Sequence, residues 1–157
     1  MTRLALALLA ASAAIIEASI APGFAPGVLP IALIAAWGVL RGVDEVMLAA
    51  PAIAVPLGVM SQERIGWFVI ATLPLLLALV VARRSDERMR SVVLGAAIAG
   101  SGSAAFGLVL LLIAGHPRTL SSEVPTLLAT AGATALCAGI SVLLLWRWRA
   151  HTSGLFA

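Results

Sequence analysis

The stretch from Ile65 to Arg90, IGWFVIATLPLLLALVVARRSDERMR, decides the fold class. Its first part, up to Ala82, contains no charged residue. An apolar helix of about 20 residues is long enough to cross the hydrocarbon core of a bilayer. The residues that follow, from Arg83, form the most polar stretch of the chain. This succession predicts a membrane-crossing helix that ends at a basic loop.

The composition of the whole chain points the same way. Of its 157 residues, 62% are hydrophobic and 11% are charged, whereas soluble domains are about 45–50% apolar and about 25% charged. In water, so short a chain would expose large apolar patches. Facing lipid, an apolar outer surface is what is required. We therefore expect a single integral membrane domain, residues 1–157.

The apolar runs divide this domain into six segments. We predict an all-α bundle with membrane spans at 4–20, 26–40, 46–60, 65–82, 91–115 and 125–146. The start of the chain resembles a signal peptide, but we expect it to be retained as the first span. The third segment is short and contains Pro51 and Pro56, so it is the one expected to be kinked, tilted or re-entrant.

The arginines predict the orientation of the bundle. Cytoplasmic segments of membrane proteins carry an excess of basic residues. With the amino terminus in the cytoplasm, eight arginines lie inside and only Arg64 and Arg118 lie outside. Five spans would place either the Arg83–Arg90 cluster or the tail at Arg147 and Arg149 outside. The distribution therefore favours six spans with both termini cytoplasmic.

No set of residues in the sequence is typical of catalysis or of cofactor or metal binding. His116 and His151 are predicted on opposite sides of the membrane, and Cys137 is the single cysteine. The acid pairs Asp44-Glu45 and Asp86-Glu87 lie beside arginines in turns, where solvated charges at helix ends are expected. We predict no enzymatic activity, no cofactor and no metal. The arginines follow no single face, which argues against nucleic-acid binding.

Glu17 is the one ionisable residue inside a predicted span. Such residues face protein or water because exposure to lipid costs several kcal/mol. Two interpretations follow from its place near the end of its helix. The side chain snorkels to the outer interface, or it contacts a neighbouring helix or lines an outward cavity.

Small residues recur every four positions in the fifth segment. One stripe consists of Gly95, Ala99, Ser103 and Gly107, and a parallel stripe consists of Ala96, Gly100 and Ala104. The sixth segment has Ala131, Ala135 and Gly139 at the same spacing. Such stripes let helix backbones approach closely. They predict either packing within the chain or docking of another protein's helix.

The first half of the chain resembles the MreD family, the small multi-pass proteins of the bacterial rod-shape machinery. The landmarks are Glu17-Ala18-Ser19-Ile20-Ala21-Pro22 at the end of the first helix and Gly27-Val28-Leu29-Pro30 at the start of the second. Leu40-Arg41-Gly42 with Glu45 soon after, and a fourth helix led by Gly66, complete the series. The resemblance covers roughly Leu4 to Leu79.

The chain also departs from the family pattern. Ile31 stands where the family usually has Asp after the proline of the second helix. The third segment lacks the several glycines and the terminal Asp typical of the family. In those places this chain has Val46, Ala50, Ala54 and Gly58.

This resemblance implies a non-enzymatic scaffold in the bacterial cytoplasmic membrane. Its partners would be an MreC-like protein and, through it, a RodA-type polymerase, a class B penicillin-binding protein and MreB. The all-arginine basic set fits a GC-rich bacterial genome. Membrane lipid is the other expected contact, and the Arg83–Arg90 loop can attract anionic headgroups. The residues expected to bind partners are Glu17, Pro22, Arg41, Gly42, Glu45, Gly95, Ala99, Ser103 and Gly107.

Two other functions fit the same composition. One is the substrate-binding subunit of a vitamin or small-molecule transporter of the energy-coupling-factor type, which is also small and six-helical. It requires an outward pocket with converging polar groups, drawn here from Glu17, Arg64, His116 and a few neighbours. The other is a structural subunit of a different membrane complex. The sequence leaves the partner-binding face and the stoichiometry open.

Overall fold

The computed structural model describes residues 2–20, 27–61, 64–82, 90–113 and 120–153, and these form seven helices. They are α1 (Thr2–Ile20), α2 (Val28–Arg41), α3 (Val43–Val46), α4 (Ala49–Ser61), α5 (Ile65–Ala82), α6 (Arg90–Ile113) and α7 (Leu120–Ser153). The described residues contain no strand. The all-α prediction is confirmed.

Five helical stretches among the described residues are long and apolar enough to cross a membrane: Arg3–Ile20, Val43–Met60, Ile65–Ala82, Val92–Ile113 and Glu123–Leu145. Helix α2 is also apolar but has only 14 residues. At about 1.5 Å per residue it is about 21 Å long, against about 30 Å for a hydrocarbon core. The chain is thus compatible with a multi-pass membrane protein in which the second segment is short.

The structure differs from the sequence prediction in the second and third segments. The stretch expected to break the helices at residues 41–45 interrupts them only at Gly42, and α3 starts at Val43. Helix α3 is followed by a turn at Met47 and Leu48 and then by α4. Pro51 explains this turn, because it has no N–H to donate to the carbonyl of Met47. Together α3 and α4 reach the length of a span, so the short segment is the second and not the third.

The ends of α7 also differ from the prediction. The sixth span is predicted at 125–146, but α7 extends from Leu120 to Ser153. Hydropathy marks where the apolar residues stop, and a helix can continue beyond that point. Glu123 lies in the first turn of α7, where a negative charge is favourable.

Helix α2 occupies the centre of the bundle. It packs against α1, α5, α6 and α7, and half of its residues are buried: Pro30, Ile31, Ala32, Ile34, Ala35, Ala36 and Gly38. At about 100° per residue these positions cover about 240° of the helix circumference, and the remaining face, with Leu29, Leu33, Trp37 and Leu40, is partly exposed. In the five long stretches only 22% to 44% of the residues are buried. The longer helices therefore cover most of the surface of α2.

The contacts of two glycines define one end of the bundle. Gly38 of α2 faces Leu79 of α5, and Gly95 of α6 faces Val142 of α7. The carboxyl ends of α2, α5 and α7 thus lie at the same level as the amino end of α6. We call this the basic end, because its helix ends carry Arg41 and Arg90 as well as the arginines at positions 147 and 149.

The opposite end is built from the other helix termini. Gly27, just before α2, faces Phe106 of α6, and Gly107 of α6 faces Leu127 of α7. Arg64 is the only arginine that the described residues place at this end. When the short α2 is counted, successive segments (α1, α2, α3–α4, α5, α6 and α7) therefore run in alternating directions, and the basic residues are concentrated at one end.

The junction of α4 and α5 provides a test of this packing. A Cβ atom added at Gly58 would lie 2.7 Å from Cγ1 and 3.0 Å from Cα of Ile65. Because a backbone atom cannot move aside as a side-chain tip does, we expect Gly58→Ala to lower the free energy of unfolding by about 1–3 kcal/mol. The measurement is reversible denaturation in mild detergent.

Gly132→Ala is the matched control, because nothing lies within 4 Å of its added Cβ on α7. Alanine is the better helix former, so this change should be neutral or stabilising by up to about 1 kcal/mol. Equal effects of the two substitutions would contradict the close approach of α4 and α5.

Candidate functional site

The carboxylate of Glu17 binds the amino terminus of α2. Glu17 lies in the last turn of α1 and is 8% exposed. Its Oε1 accepts hydrogen bonds from the backbone N–H groups of Gly27 (3.0 Å) and Val28 (2.9 Å). Its Oε2 accepts one from the N–H of Leu29 (2.8 Å). One side chain thus joins the end of the first helix to the start of the second.

The contact satisfies polar groups of both helices, the first N–H groups of α2 and the carboxylate of Glu17. The first N–H groups of a helix have no partner within it and carry a partial positive charge. Helix α2 has Gly27 at its N-cap, which offers no side chain to accept them. An unpaired buried carboxylate would be at least as costly as the unpaired donors. Three charge-assisted hydrogen bonds satisfy both groups at once.

Gly27 gives the chain the geometry that this contact needs. Its φ of 108° lies in the left-handed region, which residues with a Cβ adopt with difficulty. A Cβ added there would also lie 3.2 Å from Cδ1 of Ile31. The glycine therefore allows the backbone to enter α2 with its N–H groups directed at Glu17.

Of the two interpretations of Glu17, snorkelling to the outer interface is wrong in this structure. The side chain is buried and contacts a neighbouring helix, which is α2 of the same chain. The reason is that the unpaired backbone donors of Gly27, Val28 and Leu29 lie 10 to 12 residues further along the chain. Pro22, predicted with Glu17 as a partner-binding residue, lies outside the described residues.

Three other predicted partner-binding residues lie at the opposite end of α2. Arg41 is exposed, and its guanidinium lies 5.8 Å from the centroid of the Trp37 ring. Gly42 has a φ of 103° and donates its N–H to the carbonyl of Gly38 at 2.8 Å. Glu45 is half-buried, and its Oε2 has no hydrogen-bond partner among the described residues. The structure therefore brings these three together and separates them from Glu17 by the length of α2.

The small-residue stripe of α6 lies against α7. A Cβ at Gly95 would be 3.1 Å from Cγ2 of Val142, and one at Gly107 would meet Cδ2 of Leu127. Ala99, between them, is fully buried. The stripe thus packs within the chain. Docking of another protein's helix on these residues stays a prediction.

The parallel stripe packs on the same helix. A Cβ added at Gly100 would lie 3.2 Å both from the carbonyl oxygen of Ala131 and from the Cβ of Ala135. Gly139 faces Ala96 of α6. The small residues that the sequence marked on the fifth and sixth segments therefore meet each other across one interface.

A buried pair of hydroxyl groups reinforces this interface. The Oγ1 of Thr134 lies 3.1 Å from the Oγ of Ser103. The Thr134 hydroxyl also reaches the carbonyl of Thr130 at 2.6 Å. Such bonds between membrane helices contribute about 0.6 kcal/mol on average. The four-residue spacing predicts only a packing role for Ser103 and does not identify Thr130 or Thr134, although hydroxyl residues four apart in an apolar helix are a signal for such contacts.

Substitution of Glu17 tests the cap of α2. Glu17→Gln keeps the shape but directs an amide N–H₂ at a backbone donor, so we expect a loss of about 2 kcal/mol. Glu17→Ala leaves all three donors without a partner and should cost about 3–5 kcal/mol. The free energy of unfolding in mild detergent measures both.

Ser19→Ala is the control for this pair. Ser19 is exposed on the last turn of α1, and its hydroxyl donates to the carbonyl of Ile15 in the same helix. Its replacement should change stability by less than about 0.5 kcal/mol. The cap would be refuted if Glu17→Ala proved as stable as the unsubstituted chain.

Comparison with protein-family models, with curated proteins and with solved structures finds no match to this chain.

Proposed function

We propose that the chain is a multi-pass protein of the bacterial cytoplasmic membrane, with six crossings and both termini in the cytoplasm. The alternating helix directions support this topology, because they bring the basic helix ends together. In this orientation the basic end faces the cytoplasm, the side on which membrane proteins carry an excess of Lys and Arg. The short α2 completes the sixth crossing inside a shell of longer helices.

The topology is open to direct measurement. Single cysteines are introduced in a Cys137→Ser background at Arg64 and at Asp44, both of which belong to the described residues near helix ends. In intact cells an impermeant maleimide should label position 64 and leave position 44 unlabelled until the membrane is opened. Labelling of both from outside would contradict the proposed orientation.

Within this topology we propose a non-enzymatic scaffold of the bacterial elongation machinery. One observation carries the proposal: the residues that resemble MreD motifs lie at the two ends of the central helix. Glu17 and Gly27 fix the start of α2, and Gly42 fixes its end. The motifs thus coincide with the positions on which this bundle depends, which supports a shared architecture. The function itself is inferred from the resemblance.

A scaffold of this kind acts through its outer surface. Large apolar side chains are exposed along α1, α4 and α5, among them Leu8, Val59 and Leu77. Helices associate in lipid through packing contacts, and these faces are available for such contacts with a partner. At the basic end, the exposed Arg41 offers a charged contact to the segment of a partner next to the membrane. Through an MreC-like protein, this would link a RodA-type polymerase and a class B penicillin-binding protein to MreB.

The transporter-subunit hypothesis has less support. It needs outward-facing polar groups that are free to bind a ligand. The carboxylate of Glu17, its strongest candidate, is already engaged by three backbone N–H groups. His116 and Arg118 lie outside the described residues.

The scaffold proposal predicts a specific complex. The chain should co-purify with an MreC-like protein in mild detergent, and its depletion should round rod-shaped host cells. Arg41→Glu should reduce the recovered partner several-fold, whereas Arg64→Glu at the opposite end should not. Normal cell shape after complete depletion would count against the proposal, as would equal recovery with both variants.

A further inference from the structure

An open apolar groove of about 480 Å³ runs between α1 and α4. It is lined by Ala11 and Ile15 of α1 and by Ala52, Val55, Pro56 and Val59 of α4. Both helices belong to stretches that are long and apolar enough to cross a membrane. The groove is therefore open towards the lipid and is lined by apolar side chains.

Differences in side-chain size produce the groove. Ala11, Ala52 and Pro56 are partly recessed, whereas Ile15 and Val59 are 48% and 66% exposed. The small side chains form the floor of the groove between the two helices, and the branched side chains form its walls. The groove follows α1 and α4, which run in the same direction because each is antiparallel to α2.

The chemistry of the lining restricts what fills the groove. An apolar cavity does not hold ordered water, because water needs two to four polar partners. If the groove were empty, its lining atoms would lose dispersion contacts. A flexible hydrocarbon chain meets both conditions, since it requires no hydrogen bond and adapts to the walls.

The outer end of the groove adds a charge. Met60 lines the groove at the end of α4, and Ile65 at the start of α5 packs against Gly58. Arg64, one residue before, therefore lies close to the end of α4. It is exposed, and its guanidinium lies 5.8 Å from the centroid of the Trp67 ring. A cation and an aromatic ring at this level are typical of the membrane interface, where phosphate groups are found.

We propose that a glycerophospholipid binds here, with one acyl chain in the α1–α4 groove and its phosphate at Arg64. The apolar groove suits an acyl chain, and the guanidinium of Arg64 suits a phosphate in charge and in hydrogen-bonding geometry. The site depends on the membrane placement of the helices and is independent of the scaffold role.

Native mass spectrometry of the purified chain in mild detergent, titrated with phosphatidylglycerol, tests the site. The unsubstituted chain retains one phospholipid. Arg64→Ala and Ala52→Phe each lower the bound fraction about fivefold, the first by removing the cation and the second by filling the groove. A diacylglycerol with the same chains but no phosphate binds the unsubstituted chain about as weakly as phosphatidylglycerol binds Arg64→Ala.

Two matched controls separate the site from general effects. Arg41→Ala removes the other exposed arginine that lies 5.8 Å from a tryptophan ring, and Ala97→Phe adds the same bulk to an exposed position of α6. Both should retain the lipid. The proposal is overturned if the unsubstituted chain retains none, or if either site variant binds as the controls do.

A second measurement needs no change in the groove floor. A photoreactive benzoylphenylalanine replaces Val55, which is 51% exposed at the groove, and is activated in native membranes. Mass spectrometry should find a phospholipid attached to the chain. Attachment of another protein or of a second copy at this position would overturn the proposal.

Discussion

The bundle depends on one side chain that satisfies the start of a helix belonging to another segment. Helix α2 is too short to place both of its ends in water if it lies within a bilayer. Its first N–H groups need an acceptor where water is scarce. Glu17 supplies both carboxylate oxygens to three of them. This contact fixes the start of α2 against the last turn of α1.

Much of the architecture could be predicted from the sequence, because hydropathy and small-residue spacing are local signals. The apolar runs gave the helices, and the stripes on α6 and α7 meet as four-residue spacing predicts. Helix ends were less predictable. The turn before α4 depends on one missing N–H at Pro51, and α7 continues into polar residues at both ends. A hydropathy pattern predicts neither the turn before α4 nor the polar ends of α7, because it reports only where apolar residues occur.

The candidate site was only partly predictable for a different reason. Glu17 stood out as a charge in an apolar run, but its partners are backbone groups, which any residue carries. Nothing in the side chains of Val28 and Leu29 marks them as donors. The signal was Gly27, whose left-handed conformation directs the N–H groups at the carboxylate. Likewise, the hydroxyl contact of Ser103 with Thr134 depends on the register of two helices, and sequence spacing does not fix that register.

The shortness of α2 has a consequence for how the protein is made. A 14-residue segment is a weak substrate for insertion into the membrane by itself. When α2 leaves the ribosome, α1 has already been synthesised, and Glu17 lies 11 residues before Val28, the first residue of α2. When α1 and α2 pair, the carboxylate of Glu17 and three backbone N–H groups of α2 satisfy one another in a single step. Under the proposed topology we therefore expect α1 and α2 to enter the bilayer together, as one helical hairpin.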